Sequence, residues 1–157
     1  MTFRTICAAI GLALLATTAG ACPNYERGSI SGTFSAGDFY QPQTASVRAG
    51  GDQSINGCGI RFGSDRGRGY VTVAPDFTIR ITGLENYKIE FSVVSECDSI
   101  LLINTGTGSW FYDDDDNGNY DARIILTRPR SGRFDIWVGT HDGAVCDAQL
   151  KIETYRR

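Results

Sequence analysis

From Tyr70 onward the chain alternates apolar and polar residues with a period of two. Phe77, Ile79 and Ile81 alternate with Thr78, Arg80 and Thr82, and Ile89, Phe91 and Val93 alternate with Lys88, Glu90 and Ser92. Successive side chains on a strand point to opposite faces, so each run predicts a strand with one buried face. Gly83-Leu-Glu-Asn86 between them reads as a hairpin loop. Ser99 to Ile103 is apolar on both faces, the pattern of a central, covered strand. Trp110 to Tyr112 and Ala122 to Thr127 predict further strands, the second stopped by Pro129 and the Arg130-Ser131-Gly132 turn. In Gly132 to Thr140, Phe134, Ile136 and Val138 face one way while Asp135 and Trp137 face the other. Leu150 and Ile152 alternate with Lys151 and Glu153.

The first part of the chain is more polar. Ser29 to Phe34 and Gln43 to Arg48 are candidate strands, with turns at Gly37-Asp38 and Gly50-Gly51-Asp52. No window of a dozen residues carries a helical stripe. About eight or nine short strands at turn-punctuated spacing predict an all-β protein, a single antiparallel β-sandwich of jelly-roll-like size.

The N-terminus changes which residues count as structure. Arg4 precedes an apolar run from Ile6 to Leu15, and Ala19-Gly20-Ala21 supplies a small-x-small cleavage site, so residues 1–21 read as a secretory signal peptide. Residues 22–157 then form the expected domain. The run is shorter than the roughly 18 apolar residues a membrane span needs, and no other stretch approaches that length. Cleavage would leave Cys22 first. A lipid anchor on Cys22 is the less favoured reading, because Ala19 stands where a larger aliphatic residue is usual and because the cysteines otherwise pair evenly. Cys7 leaves with the signal, and Cys22, Cys58, Cys97 and Cys146 remain.

Four cysteines in an exported chain imply two disulfides in one of three connectivities. Cys22 with Cys58 and Cys97 with Cys146 is the expected pairing, since the second bond would tie the start of the acidic hairpin to the last strand. No C-x-x-C spacing supports a zinc or redox site. The formal charge of −3 becomes −4 once Arg4 is removed with the signal, which leaves no nucleic-acid footprint. Arg61, Arg66 and Arg68 read as a solvated, glycine-punctuated loop.

Chemistry concentrates in Trp110-Phe-Tyr-Asp-Asp-Asp-Asp-Asn-Gly-Asn-Tyr-Asp121. Calcium takes six to eight oxygen ligands, which a short loop supplies from alternate carboxylates around a glycine turn. Asp113, Asp115, Asn117 and Asp121 have that spacing, Asn119 would add a backbone carbonyl, and Gly118 is the turn residue. The twelfth position is Ile124, where an EF-hand has a bidentate glutamate, and no helix flanks the loop. Calcium is therefore expected in a β-hairpin loop. The competing reading is a solvated hairpin tip.

Catalytic constellations are sparse. The single histidine, His141, lies in Gly139-Thr-His-Asp-Gly143, and no serine sits in a Gly-x-Ser-x-Gly elbow. Carboxylates crowded on one loop flank nothing that a glycosidase would cleave. Trp110, Tyr112 and Trp137 remain as a weak candidate stacking surface, Trp137 being read as outward-facing.

The segment from Cys97-Asp-Ser-Ile-Leu-Leu-Ile-Asn104 through Gly108-Ser-Trp-Phe-Tyr-Asp-Asp-Asp-Asp-Asn-Gly118, Ala122-Arg-Ile124 and Ser131-Gly-Arg-Phe-Asp-Ile-Trp-Val-Gly-Thr140 resembles the bacterial pre-peptidase C-terminal domain. Members typically show an aspartate-rich loop, an Arg-Ile strand and a Gly-x-Tyr-x-Val-x-Val strand. The resemblance is close from Cys97 to Thr140, looser back to Tyr70, and absent from the N-terminal third. Phe134 stands where the family usually has tyrosine. The resemblance implies an exported jelly-roll-like sandwich that assists a secreted peptidase in targeting or binding, with calcium in some relatives; no peptidase domain is present here. The combined expectation is a periplasmic or extracellular, monomeric, non-catalytic binding or accessory module for a protein or glycan. A small secreted hydrolase using His141 and a structural envelope protein are the alternatives.

Overall fold

A computed structural model describes residues 22–63 and 66–157; the expected signal peptide lies outside the described residues. Among the described residues eleven strands form: β1 (Ile30–Ser35), β2 (Gln43–Ala49), β3 (Gln53–Ser54), β4 (Tyr70–Val71), β5 (Phe77–Thr82), β6 (Tyr87–Ser95), β7 (Ser99–Thr105), β8 (Trp110–Asp113), β9 (Arg123–Leu126), β10 (Gly132–Thr140) and β11 (Cys146–Arg156). The expected strands appear within a few residues of their sequence positions. The Gly37-Asp38 turn is one turn of 3₁₀ helix, Ala36–Phe39, whose start is held by Asp38 Oδ2 accepting from the Ser35 N–H at 2.7 Å.

The strands form two packed sheets, an all-β sandwich. β2, β11, β6 and β9 lie side by side in one, while β10 is the hub of the other, which also contains β1, β3, β4, β5, β7 and β8. Pairing is antiparallel except where β1 runs parallel to β5, from Ile30 opposite Phe77 to Ser35 opposite Thr82. A tight hairpin can join only antiparallel neighbours. Here the chain leaves β1, contributes β2 to the opposite sheet, and returns through β3 and β4 before β5, and that long route permits a parallel partner.

Phe77, Ile79, Ile81, Ile89, Phe91, Val93, Leu101, Ile103, Phe134, Ile136, Val138, Leu150 and Ile152 fill the space between the sheets. These are largely the apolar positions of the alternating runs. A second cluster lies on the other side of β10 and β7: Ile55, Val71, Ile100, Leu102, Tyr112 and Trp137, with Phe62 and Trp110 against it. Trp137 does point away from Phe134, Ile136 and Val138, as the alternation requires. It is nevertheless fully buried, so the expectation of an outward-facing Trp137 is corrected. The segments before β1 and between β3 and β4 fold across that face, because burying an aromatic or large aliphatic side chain stabilises the fold by roughly 1.5–3 kcal/mol.

Two disulfides fasten these coverings, Cys22 to Cys58 and Cys97 to Cys146, as expected from the sequence. The sulfur that a lipid anchor would use is thus bonded to Cys58. Arg133 adds a polar fastening: its Nε donates to Asp135 at 2.9 Å and its Nη2 to the Tyr25 carbonyl at 2.9 Å.

Along the edge of β10 opposite β7, β5 stops at Ile136 and β4 begins at Thr140. Asp76 and Gly50 fill the interval. The Asp76 N–H donates to the Ile136 carbonyl at 2.9 Å, Asp76 Oδ2 accepts from the Val138 N–H at 2.8 Å, and the Gly50 N–H reaches the Val138 carbonyl at 3.1 Å. A carboxylate therefore stands in for a strand carbonyl inside the ladder.

Candidate functional site

The acidic loop carries the chain from β8 in one sheet to β9 in the other. Its fold follows from turn chemistry. Asn117 N–H donates to the Asp121 carbonyl at 2.8 Å, Asp121 N–H to the Gly118 carbonyl at 2.9 Å, and Gly118 takes a φ of +79°. Gly118 has the conformational role expected of it. Asn119 and Tyr120 follow at φ of 54° and 59°, so three successive residues are left-handed. Asparagine tolerates that region; tyrosine there is uncommon, and Tyr120 projects into solvent, 70% exposed.

The five expected calcium ligands are divided among different tasks. Asp121 turns inward, 3% exposed, and accepts from Ser95 Oγ at 2.7 Å and Ser99 Oγ at 3.0 Å. Asp113 Oδ2 accepts from the Arg123 N–H at 2.7 Å and the Asp116 N–H at 3.1 Å. Asn117 Nδ2 donates to the Val93 carbonyl at 2.6 Å. Asp115 and Asn119 are exposed. Among the described residues, no three histidine, cysteine, aspartate or glutamate side chains come together as a metal site. Asp113, Asn117 and Asp121 join the loop to β9, β6 and β7 through these bonds.

Burial raises the Asp113 pKa above the ordinary carboxylate value, with Asp116 and Asp114 adding to the shift and the two backbone N–H donors opposing it. Asp98 is raised likewise, first by burial and then by Asp115 and Asp142, against the opposing pull of His141. His141 is exposed, and its N–H donates to the Asp98 carbonyl at 2.9 Å. No hydroxyl or thiol hydrogen-bonds to its ring among the described residues, so the nucleophile and base that a hydrolase requires are not in contact.

Trp110 lies 5.4 Å from Trp137 and 5.8 Å from Tyr25, and Phe62 lies 5.4 Å from Tyr112, centroid to centroid. Tyr112 is buried and its hydroxyl donates to the Arg68 carbonyl at 2.9 Å. Of the three aromatics expected to form a platform, Tyr112 and Trp137 are therefore packed inside, and Trp110 alone keeps partial exposure.

A feature that the sequence reading missed lies along the side of the sandwich between β8 and β9. Two hollows of about 370 and 550 Å³ adjoin there, sharing Ser109, Phe111 and Ile125 as lining. Arg128 and Arg130 stand at one end, and Arg61 with Arg123 at the other. The side chains of Arg61, Arg128 and Arg130 make no ion pair or hydrogen bond among the described residues. The only hint in the sequence was the Arg-Pro-Arg run at 128–130. Its spatial relation to Arg61 depends on which strands form the two edges.

Fold and surface together define a disulfide-bonded, all-β sandwich with an open lateral cleft between β8 and β9. No family model and no curated protein matches the chain. Solved structures similar to it include the following two. One is PliG, a periplasmic lysozyme inhibitor of g-type lysozyme from Aeromonas hydrophila, with 8% identity and a TM-score of 0.46 over 80% of this chain and 98% of that one. The other is the pre-peptidase C-terminal domain of collagenase from Bacillus anthracis, with 10% identity and a TM-score of 0.45 over 84% and 99%. The second is a domain of the kind that Cys97 to Thr140 resembles.

Proposed function

We propose that this chain is an exported, non-catalytic binding module, periplasmic or extracellular, and that the cleft between β8 and β9 is its ligand-facing side. The observation that carries this reading is the trough itself, with Phe111 and Ile125 along it and, at one end, Arg128 and Arg130 without carboxylate partners among the described residues. Arg128 and Arg130, unpaired among the described residues of a protein of net negative charge, are available to an outside ligand. Two disulfides support export. The exposed His141, without a hydrogen-bonded nucleophile, supports a role without bond cleavage.

Calcium is no part of this proposal. The carboxylates of Asp113 and Asp121 accept from Asp116 within the loop and from Ser95, Ser99 and Arg123 outside it, and these donors satisfy the two side chains on which the join depends.

The test is retention of the mature, oxidised protein on glycan and extracellular-protein arrays, beside a panel of peptide and ester substrates. The proposal expects a retained target, no hydrolysis, and loss of retention in the Arg128→Glu/Arg130→Glu variant. Hydrolysis abolished by His141→Ala would replace it with the hydrolase reading. Retention unaffected by the arginine reversals would move the binding surface elsewhere.

A further inference from the structure

Resting on that reading, we propose that the cleft accepts an extended, acidic segment of a partner protein, added as a further strand to the free edge of β9. The register of β6 and β9 decides which backbone groups are available. Val93 N–H donates to the Ala122 carbonyl at 2.9 Å, and Phe91 and Ile89 stand opposite Ile124 and Leu126. By the alternation of a strand, Ile124 and Leu126 direct their backbone groups toward β6, and Arg123 and Ile125 direct theirs into the cleft.

The Arg123 N–H confirms this direction, because Asp113 Oδ2 caps it at 2.7 Å. A carboxylate oxygen there occupies the place of a neighbouring strand's carbonyl. The next outward groups, the Arg123 carbonyl and the N–H and carbonyl of Ile125, have no strand beside them, since β9 pairs only with β6. The facing edge of β8 is different, for a bridge between Phe62 and Trp110 covers it at the Trp110 end. One edge is blunted and the other is open.

Charge selects among extended polypeptides. Arg128 and Arg130 flank one end of the trough, where no carboxylate lines it, and neither makes an ion pair or hydrogen bond among the described residues; at the other end Arg61 and Arg123 stand beside Asp113 and Asp116. Ile125, 45% exposed, and the half-buried Phe111 offer apolar contact between them. The matching segment has a short apolar centre and acidic residues at the end that meets Arg128 and Arg130; a peptide acidic at both ends presents them in either strand direction. Main-chain pairing supplies affinity in such strand addition, and side-chain contacts supply selectivity.

The experiment uses the mature, oxidised protein and three synthetic octapeptides: Glu-Glu-Val-Thr-Val-Thr-Glu-Glu, its counterpart with lysine for glutamate, and the acidic peptide N-methylated at alternate central residues. Binding is read by fluorescence anisotropy and by hydrogen exchange at the amide of Ile125. The acidic peptide should bind saturably and slow exchange at Ile125. The lysine and N-methylated peptides should bind at least tenfold more weakly. Arg128→Glu/Arg130→Glu, at two exposed positions, should weaken the acidic peptide at least tenfold, and so should Ile125→Pro, which removes an outward N–H.

Equal binding of the acidic and N-methylated peptides would show charge attraction without strand pairing and overturn the inference. No binding of the acidic peptide, or unchanged exchange at Ile125, would overturn it as well. If an array target is still retained through the arginines in either case, the binding module stands and strand addition alone fails.

Discussion

Asp113 Oδ2 lies 2.7 Å from the backbone nitrogen of Arg123, so a single carboxylate at the end of β8 fastens the first residue of β9 in the opposite sheet. A charge-assisted bond of this kind contributes roughly 1.5–3 kcal/mol, and its loss leaves an N–H without a partner. Asp113→Ala should therefore lower stability by about 2 kcal/mol in chelator-treated protein, whereas Asp115→Ala at an exposed position should change it by less than about 0.5 kcal/mol. Denaturant titration in chelator and in millimolar calcium checks both. A calcium-dependent rise of several degrees in melting temperature, lost in Asp115→Ala, would establish the loop as a calcium site.

Asp121 presents a related case inside the fold. Its Oδ1 accepts from the hydroxyls of both Ser95 and Ser99, and Ser99 Oγ in turn accepts from the Ala122 N–H at 3.1 Å. Removing the carboxylate strands a buried polar network, so Asp121→Ala should cost about 3 kcal/mol. Ser99→Ala should cost about 1–2 kcal/mol, and the double variant less than the sum of the two. A fully additive result in urea unfolding would contradict the shared network.

Asp76 gives the protein a pH dependence of unusual sign for an aspartate. Burial raises its pKa from 3.8 to about 6, against the lowering effect of the Val138 N–H. The folded state thus holds a proton that the unfolded chain has already released. Stability contributed by the protonated form is fully present below pH 3.8 and falls as pH rises toward about 6, by up to about 3 kcal/mol. Asp76→Asn keeps an oxygen for the Val138 N–H and removes the titration. At pH 7 it should be more stable than wild type by about 1–3 kcal/mol, with the difference vanishing near pH 4. Unfolding measured at both pH values reads the crossover; a variant less stable at pH 7 would contradict it.

Trp137 separates a binding platform from a packed core. Its ring is fully buried, and its Nε1 has no hydrogen-bond partner among the described residues. Trp137→Ala should cost about 3–5 kcal/mol, as a large core truncation does, whereas an exposed platform residue would cost little. In the Trp110→Phe background, emission from Trp137 should be shielded from acrylamide. Efficient quenching of the folded variant would place the ring at the surface.

Sequence alone was sufficient where one physical constraint acts locally. The period-two runs at Phe77–Ile81 and Ile89–Val93 placed strands and chose their buried faces, because one face of each lines the space between the sheets. The run Ser99–Ile103, apolar on both faces, announced a covered strand, and β7 is buried on both. The cysteine pairing and the turn at Gly118 were also legible.

What tertiary structure decided was the destination of side chains whose local pattern admits two outcomes. Trp137 alternates outward from the sandwich interior, yet loops brought from residues distant in sequence cover it. Alternation reports the side of the sheet and says nothing about what lies across it. Asp113 and Asp121 have ligand-like spacing, but their partners Arg123, Ser95 and Ser99 reach them only when two sheets are closed by the loop between β8 and β9. The cleft is wholly a product of topology: Arg61 and Arg128 come from opposite sides of the sequence, and they frame one trough because β8 and β9 are the edges that the strand order left together.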